Sequence, residues 1–350
     1  MSTLDETAIQ KKSRVASFDT FRVFAILAVC FGHLDTFEKT CTPLWIFLNQ
    51  FLRFCLPYFF CAAGYFFAKG VARSRSAPAT LWRYLKRLLF IYVAWSLIYA
   101  LRPSSRLVKA EGFVKAVWLT VADIAALAAE NPIDFLFQGV EPGHLWFLVA
   151  MMVALAVVTV LVVFKMRWAI LPVGALSYVI GLLGGAYLNS PVGVDWGFTT
   201  STGPFFGMLF VAIGWWLADK GPCRLSFAIA LTVCGAVLHM SEAFLIRHHF
   251  GVRVTDIDYV FGTAFYGTGV FLLIRALPGL GASTVLPRWG SLTLGVYVSH
   301  LQFIGFARNL FEDIVPEIVC DVLSLFVLYF VSLLFTYVIS KIKYVRRLVV

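Results

Sequence analysis

Two ionisable residues in the first apolar stretch are spaced for joint chemistry. Arg22 and His33 stand eleven residues apart, in a segment reading Phe18-Asp19-Thr20-Phe21-Arg22 and ending Phe31-Gly32-His33. Eleven residues of α-helix turn roughly 1,100°, within about 20° of three full turns, and rise about 16 Å. The two side chains would therefore share one helix face, three turns apart. Asp19, one turn before Arg22, is placed to pair with it. A neutral imidazole can take a proton from a hydroxyl near pH 7. A guanidinium presents a fork of donors suited to phosphate oxygens. The plainer alternative is a helix-end histidine at one membrane interface, with Arg22 snorkelling toward the other.

Three further groups invite the same question. Trp82-Arg83-Tyr84-Leu85-Lys86-Arg87 is a basic run at the start of an apolar stretch. It reads either as membrane anchoring or as a phosphate-binding mouth made by Arg83, Lys86 and Arg87. Glu141-Pro142-Gly143-His144-Leu145-Trp146-Phe147-Leu148 puts His144 and Trp146 where an outer loop enters a span, near the expected depth of His33. Trp146 alone would be an interfacial aromatic. In Trp289 to His300, the residues Thr293, Tyr297 and His300 fall at i, i+4 and i+7, which is one polar helix face. Such a stripe does not suit a lipid-facing position; it is either interhelical hydrogen-bond glue or part of a site. His239 and Glu242 read as a helix nearing the outer surface, and His248 and His249 as loop residues. No set of residues has metal-ligand spacing, so no metal is expected. The seven cysteines are scattered, without a CxxC pair, and read as small packing residues.

The elements that must position these groups follow from composition. Of 350 residues, 60% are apolar and 14% charged, with a mean hydropathy of +0.85. Soluble domains carry about 25% charge. This excludes an ordinary soluble enzyme, a disordered chain and a disulfide-stapled module. It implies an all-α, polytopic bundle in a lipid bilayer. Ten spans are expected: 18–37, 44–68, 83–101, 144–164, 168–188, 201–218, 225–245, 257–276, 290–309 and 318–340. The second and sixth are interrupted by Pro57 and Pro204. The first is expected to be an uncleaved helix behind a cytosolic tail, 1–17, since the run lacks an A-x-A cleavage site.

Charge placement gives the orientation. With the N-terminus inside, the cytosolic pieces hold 19 Lys and Arg and the outer pieces 8, while Arg22 and Arg53 lie within spans. That asymmetry predicts N-in and C-in, with 341–350 a cytosolic tail. The net charge of +10 is then accounted for by membrane anchoring and calls for no nucleic-acid partner. The segment 102–143 is an outer loop whose stretch Phe113 to Ala129 is amphipathic and suited to the membrane surface. One membrane domain, 18–340, fills the chain, with no internal repeat.

Read together, these pieces resemble the acyltransferase-3 family of integral-membrane acyltransferases. Arg22 and His33 match its opening Arg-x10-His feature. Pro57-Tyr58-Phe59-Phe60-Cys61-Ala62-Ala63-Gly64-Tyr65-Phe66 is similar to its "PLFFxxSGYF" segment, His144 to Leu148 to its "HLWFL" segment, and Thr293 to His300 to its "SxxxYxxH" ending. The chain departs at three places. Arg83-x-x-Lys86, with Arg87 adjacent, stands for Arg-x-x-Arg, so which of the three meets donor phosphate stays open. Ala63 and Thr293 each replace a serine. No soluble esterase-like domain, carried by some larger relatives, is expected.

The resemblance implies an O-acyltransferase, acetyl being the default group. It would take acyl-CoA (acetyl-CoA) from the cytosol and pass the acyl group to a glycan or glycolipid hydroxyl outside a bacterial cytoplasmic membrane. His33 would be the catalytic base or carry the acyl group. Arg22 and the cluster Arg83, Lys86 and Arg87 would hold the donor. Asp19, His144, Trp146, Thr293, Tyr297 and His300 would support the site or meet the acceptor. Two other classes fit the residues: a secondary transporter or glycan flippase, to which broken helices and buried titratable groups also belong, and a structural membrane subunit.

Overall fold

The computed structural model describes residues 15–103, 105–132, 135, 143–200 and 202–349. The tail before Val15, Glu141, Pro142 and the first residue of the expected sixth span lie outside the described residues. Within them every regular element is helical and there is no strand.

Among the described residues, six helical segments are long and apolar enough to cross a membrane. They are α1 (Ala16–Leu34), the segment Thr42–Ser74, α7 (Trp146–Val163), the segment Arg167–Gly184, α10 (Leu225–Phe250) and α15 (Glu317–Lys341). The second comprises α2 (Thr42–Phe51), a tight turn Leu52–Phe54 and α3 (Cys55–Ser74). The fourth ends in α8 (Ile170–Gly184). Two apolar helices are shorter, α9 (Pro204–Leu217) and α11 (Phe261–Ala276).

Several boundaries differ from expectation, for local reasons. Pro204 does not interrupt a span; it starts α9, where its missing N–H would have had no partner anyway. The helix α4 (Ala77–Ala100) begins six residues before Arg83, because Ser76 caps it, accepting from the Ala79 N–H, and Pro78 stands in its first turn. Arg83, Lys86 and Arg87 thus lie inside a helix rather than at its mouth. His248 and His249 are not loop residues but the last turn of α10, which stops at left-handed Gly251. The expected ninth span is not one helix. It is broken into α12 (Leu286–Gly290), α13 (Thr293–Ser299), a turn His300–Gln302 and α14 (Ile304–Asn309). The segment expected as an outer loop carries α5 (Ser105–Glu111) and α6 (Phe113–Glu130), the latter with only Ala116 buried.

The bundle is built around α1, whose apolar window is 67% buried against 22% for α10. Side chains sort accordingly. On α15, Val322, Phe326, Phe330 and Leu334 recur every fourth residue and are exposed, whereas Ser324, Ser332 and Thr336 are buried. An apolar stripe outside and hydroxyls inside is the arrangement a lipid environment favours. A close backbone approach joins α3 to α9. A Cβ on Gly64 would lie 2.0 Å from the Val211 carbonyl oxygen, so the glycine of the Gly64-Tyr65-Phe66 segment is required by packing. His239 and Glu242 do not mark a surface. His239 is fully buried with Nδ1 2.8 Å from the Thr263 hydroxyl, and Glu242 accepts from the Phe261 and Gly262 N–H groups at the start of α11.

Candidate active site

His33 sits in the last turn of α1, which ends at Asp35 in the left-handed conformation (φ 49°). Its ring opens into a cavity of about 420 Å³. Two other histidines converge there from distant parts of the chain. The His33 ring centroid lies 5.1 Å from that of His300 and 6.2 Å from that of His144, and the latter two are 5.4 Å apart. His144 and Tyr297 also line the cavity.

Each of these groups is held by its neighbours. The Tyr297 hydroxyl donates to the His144 backbone carbonyl. Tyr99, from α4, places its ring 5.1 Å from His144 and donates its hydroxyl to the Val298 carbonyl at 2.9 Å. His300 Nδ1 lies 2.6 Å from the Tyr297 carbonyl oxygen. A carbonyl only accepts, so Nδ1 carries the proton and Nε2 of a neutral ring is left with its lone pair. That Nε2, and both ring nitrogens of His144, are buried with no partner at hydrogen-bonding geometry. Buried polar atoms are normally satisfied; an exposed imidazole ringed by unsatisfied ones is equipped to receive and pass a proton. Among the described residues no group of His, Cys, Asp and Glu is placed to hold a metal ion.

The expected polar stripe of the ninth span divides at this point. Tyr297 and His300 join His33, but Thr293 does not: its hydroxyl donates to the Gly290 carbonyl at 2.8 Å, tying the break between α12 and α13. Trp146 lines the cavity and packs against Phe60 and Phe206.

At the other end of α1, Arg22 pairs with the buried Asp19 at 2.6 Å and lies 5.9 Å over the Phe66 ring. Arg87 of α4 feels the charge of Arg22, and Tyr84 feels Arg87, Arg22 and Arg83. Arg83 points to the Thr80 hydroxyl at 3.2 Å, and Lys86 is exposed. Sequence reasoning missed two cations at this end, Lys69 and Arg275, which both stack on Tyr65. The cavity does not reach Arg22. It ends at Ala28 and Val29, and the next turn of α1, Ala25 and Ile26, is fully packed.

The outer wall of the cavity was not foreseen either. The expected eighth span began at 257, yet 251–260 is an irregular strap before α11. The strap contributes Arg253, Thr255, Asp256, Asp258 and Tyr259 to the cavity. It is fastened from below. Gln50 donates to the Val254 and Ile257 carbonyls at 2.7 and 3.2 Å. Arg53 pairs with Asp258 at 2.9 Å and donates to the Thr255 carbonyl at 2.9 Å. The one signal available was Arg53 itself, a charge within an apolar span.

An acyltransferase domain model matches residues 15–341, nearly the whole chain. No curated protein and no solved structure matches it.

Proposed function

Because the chain belongs to the acyltransferase-3 family, we propose that this multi-pass membrane acyltransferase is an O-acyltransferase of a bacterial cytoplasmic membrane. It moves an acyl group, acetyl in the simplest case, from cytosolic acyl-CoA to a hydroxyl of a surface polysaccharide or glycolipid on the outer side. The observation that carries this reading is the exposed His33 ring in a cavity it shares with His144 and Tyr297, with the buried His300 ring 5.1 Å from it.

In the proposed reaction His33 takes the proton of the acceptor hydroxyl as its oxygen attacks the thioester carbonyl. The tetrahedral intermediate collapses, the carbon–sulfur bond breaks, and the departing CoA thiolate takes the proton back from His33. His144 and His300 hold the ring and exclude water. Arg22 and Arg87 meet the donor's phosphates. The pantetheine arm has to cover the rise of about 16 Å between Arg22 and His33. With Ala25 and Ile26 packed, that route opens only when the donor binds.

The test is transfer by the purified protein in proteoliposomes with acetyl-CoA and host glycan. His33→Ala is expected to lower acylation by about 10²–10⁴-fold with insertion and thermal stability retained. Unchanged glycan acylation in that variant would sink the assignment. Rapid-quench mass spectrometry with acetyl-CoA alone separates direct transfer from a relay through an acylated His33.

A further inference from the structure

The cavity in front of His33 carries a charge opposite to that of the Arg22 end. Asp35, Glu38, Asp256 and Asp258 line it, against Arg53 and Arg253. Both guanidiniums are already engaged with strap acids, Arg53 with Asp258 and Arg253 with Asp256, each at 2.9 Å. The surplus is therefore Asp35 and Glu38, on the same wall as His33. Arg308, which donates to the Leu34 carbonyl and lies outside the lining, offsets part of the Asp35 charge and leaves Glu38 uncompensated. The opposite end gathers Arg22, Arg87, Lys69 and Arg275. A polyphosphate is thus drawn to one end and repelled from the other.

The rest of the lining is suited to a polyhydroxylated ring. Trp45 and Trp146 offer apolar faces for stacking, and Asn49 and Thr255 offer polar groups. His144, 4% exposed and with neither ring nitrogen partnered, borders the same space. The strap presents its charges from a fixed backbone. Val254 and Ile257 are buried pins between exposed Arg253, Asp256 and Asp258, and Gln50 and Arg53 fasten its carbonyls. Side chains on a fastened backbone can discriminate, because they need not be ordered when the ligand arrives.

We propose that the His33 cavity admits an uncharged or amine-bearing sugar and excludes one that carries a carboxylate or phosphate beside the acylated hydroxyl. The proposal rests on the acyltransferase reading and adds the charge class of the acceptor. Asp35 and Glu38 set the sign of the cavity, and Arg53 is a positioning residue that holds Asp258 and the strap.

Three probes that share one ring test it: methyl glucoside, methyl glucosaminide and methyl glucuronide. Binding is read by quenching of tryptophan fluorescence, and transfer by labelled acetyl-CoA, in the full-length protein. The glucuronide is expected to bind about tenfold more weakly than the other two, because its carboxylate meets like charge. Added salt should narrow the gap. So should Asp35→Asn with Glu38→Gln, in which asparagine keeps the left-handed backbone at position 35. Glu38→Gln alone, away from the helix end, is the second variant and should narrow it in part. Indistinguishable binding of the three sugars, or a gap unmoved by both variants, overturns the proposal. Charge-selective binding without acyl transfer by the wild type overturns the acyltransferase reading and supports the selection. Transfer without charge preference overturns the selection alone.

Discussion

Tyr297 donates its phenolic hydrogen to the backbone carbonyl of His144, joining segments 153 residues apart. The bond places the turn before α7 against α13, and so fixes His144 relative to His300. It crosses between two elements that no continuous helix connects. The histidine cluster therefore depends on one hydroxyl more than on any helix axis.

Removing that hydroxyl should be felt in turnover before stability. Tyr297→Phe keeps the ring that packs 5.5 Å from Phe147 and from His144. A single hydrogen bond contributes about 0.5–1.5 kcal/mol net. Transfer to glycan is expected to fall about two- to tenfold in kcat, with the KM for acetyl-CoA unmoved. Steady-state kinetics at varied donor checks this. A rise in donor KM of the same size would place Tyr297 on the donor's path instead.

The donor end yields a prediction about which cation matters. Arg83, Lys86 and Arg87 are all exposed, but Arg87 feels the charge of Arg22 and Arg83 is directed at Thr80. Asp19 already pairs with Arg22, and a donor phosphate reaching both guanidiniums would offset the repulsion that Arg87 still feels. Arg22→Ala and Arg87→Ala should each weaken acetyl-CoA binding by about 10–100-fold, the size of a charged hydrogen bond of about 1.5–3 kcal/mol. Lys86→Ala should change it by less than about twofold, since Lys86 is not among the charges that act on Tyr84 beside Arg22 and Arg87. Calorimetry with acetyl-CoA measures all three. Equal losses in donor and glycan binding for Arg22→Ala would count against a donor-specific role.

The packing of α3 on α9 leaves no room at Gly64. Its added Cβ would meet backbone, not a flexible side chain, at 2.0 Å from the Val211 oxygen. Gly64→Ala must separate the helices and is expected to cost about 1–3 kcal/mol. Thermal unfolding in detergent should show it as a lowered Tm. An unchanged Tm would mean that the two helices slide apart freely.

What the chain revealed beforehand was what one helix can encode. Arg22 and His33 lie on an uninterrupted α1, and the segment at His144 does open a span, because periodicity and local motif both reside within a few turns. The break in the ninth span was not legible. Thr293 and Tyr297 do share α13, but the breaks on either side of it, after Gly290 and at the His300 turn, leave no trace in the helical spacing. The strap escaped for the same kind of reason. Asp256 to Tyr259 alternates acidic and apolar residues and leads through Val260 into an apolar helix. Its irregular course is decided by Gln50 and Arg53, roughly 200 residues earlier in the chain. Nothing local to either segment records that partner.

The strap supplies the sharpest structural test. Gln50 is fully buried, and its amide donates to two carbonyls, those of Val254 and Ile257. In Gln50→Leu the side chain keeps much of its volume but loses both donors. A buried carbonyl left unsatisfied costs about 1–3 kcal/mol, so the strap has reason to lift toward water. Arg53 still holds Thr255 and Asp258, which keeps it tethered rather than released. Hydrogen-exchange mass spectrometry should then show faster exchange across 251–260, with α1 and α3 as protected as before. Acceptor KM should rise, since the cavity wall now has to be ordered on binding, while donor KM stays level. Loss of protection spreading through α1 would show that Gln50 supports the bundle as a whole, and that the strap is not an independent wall.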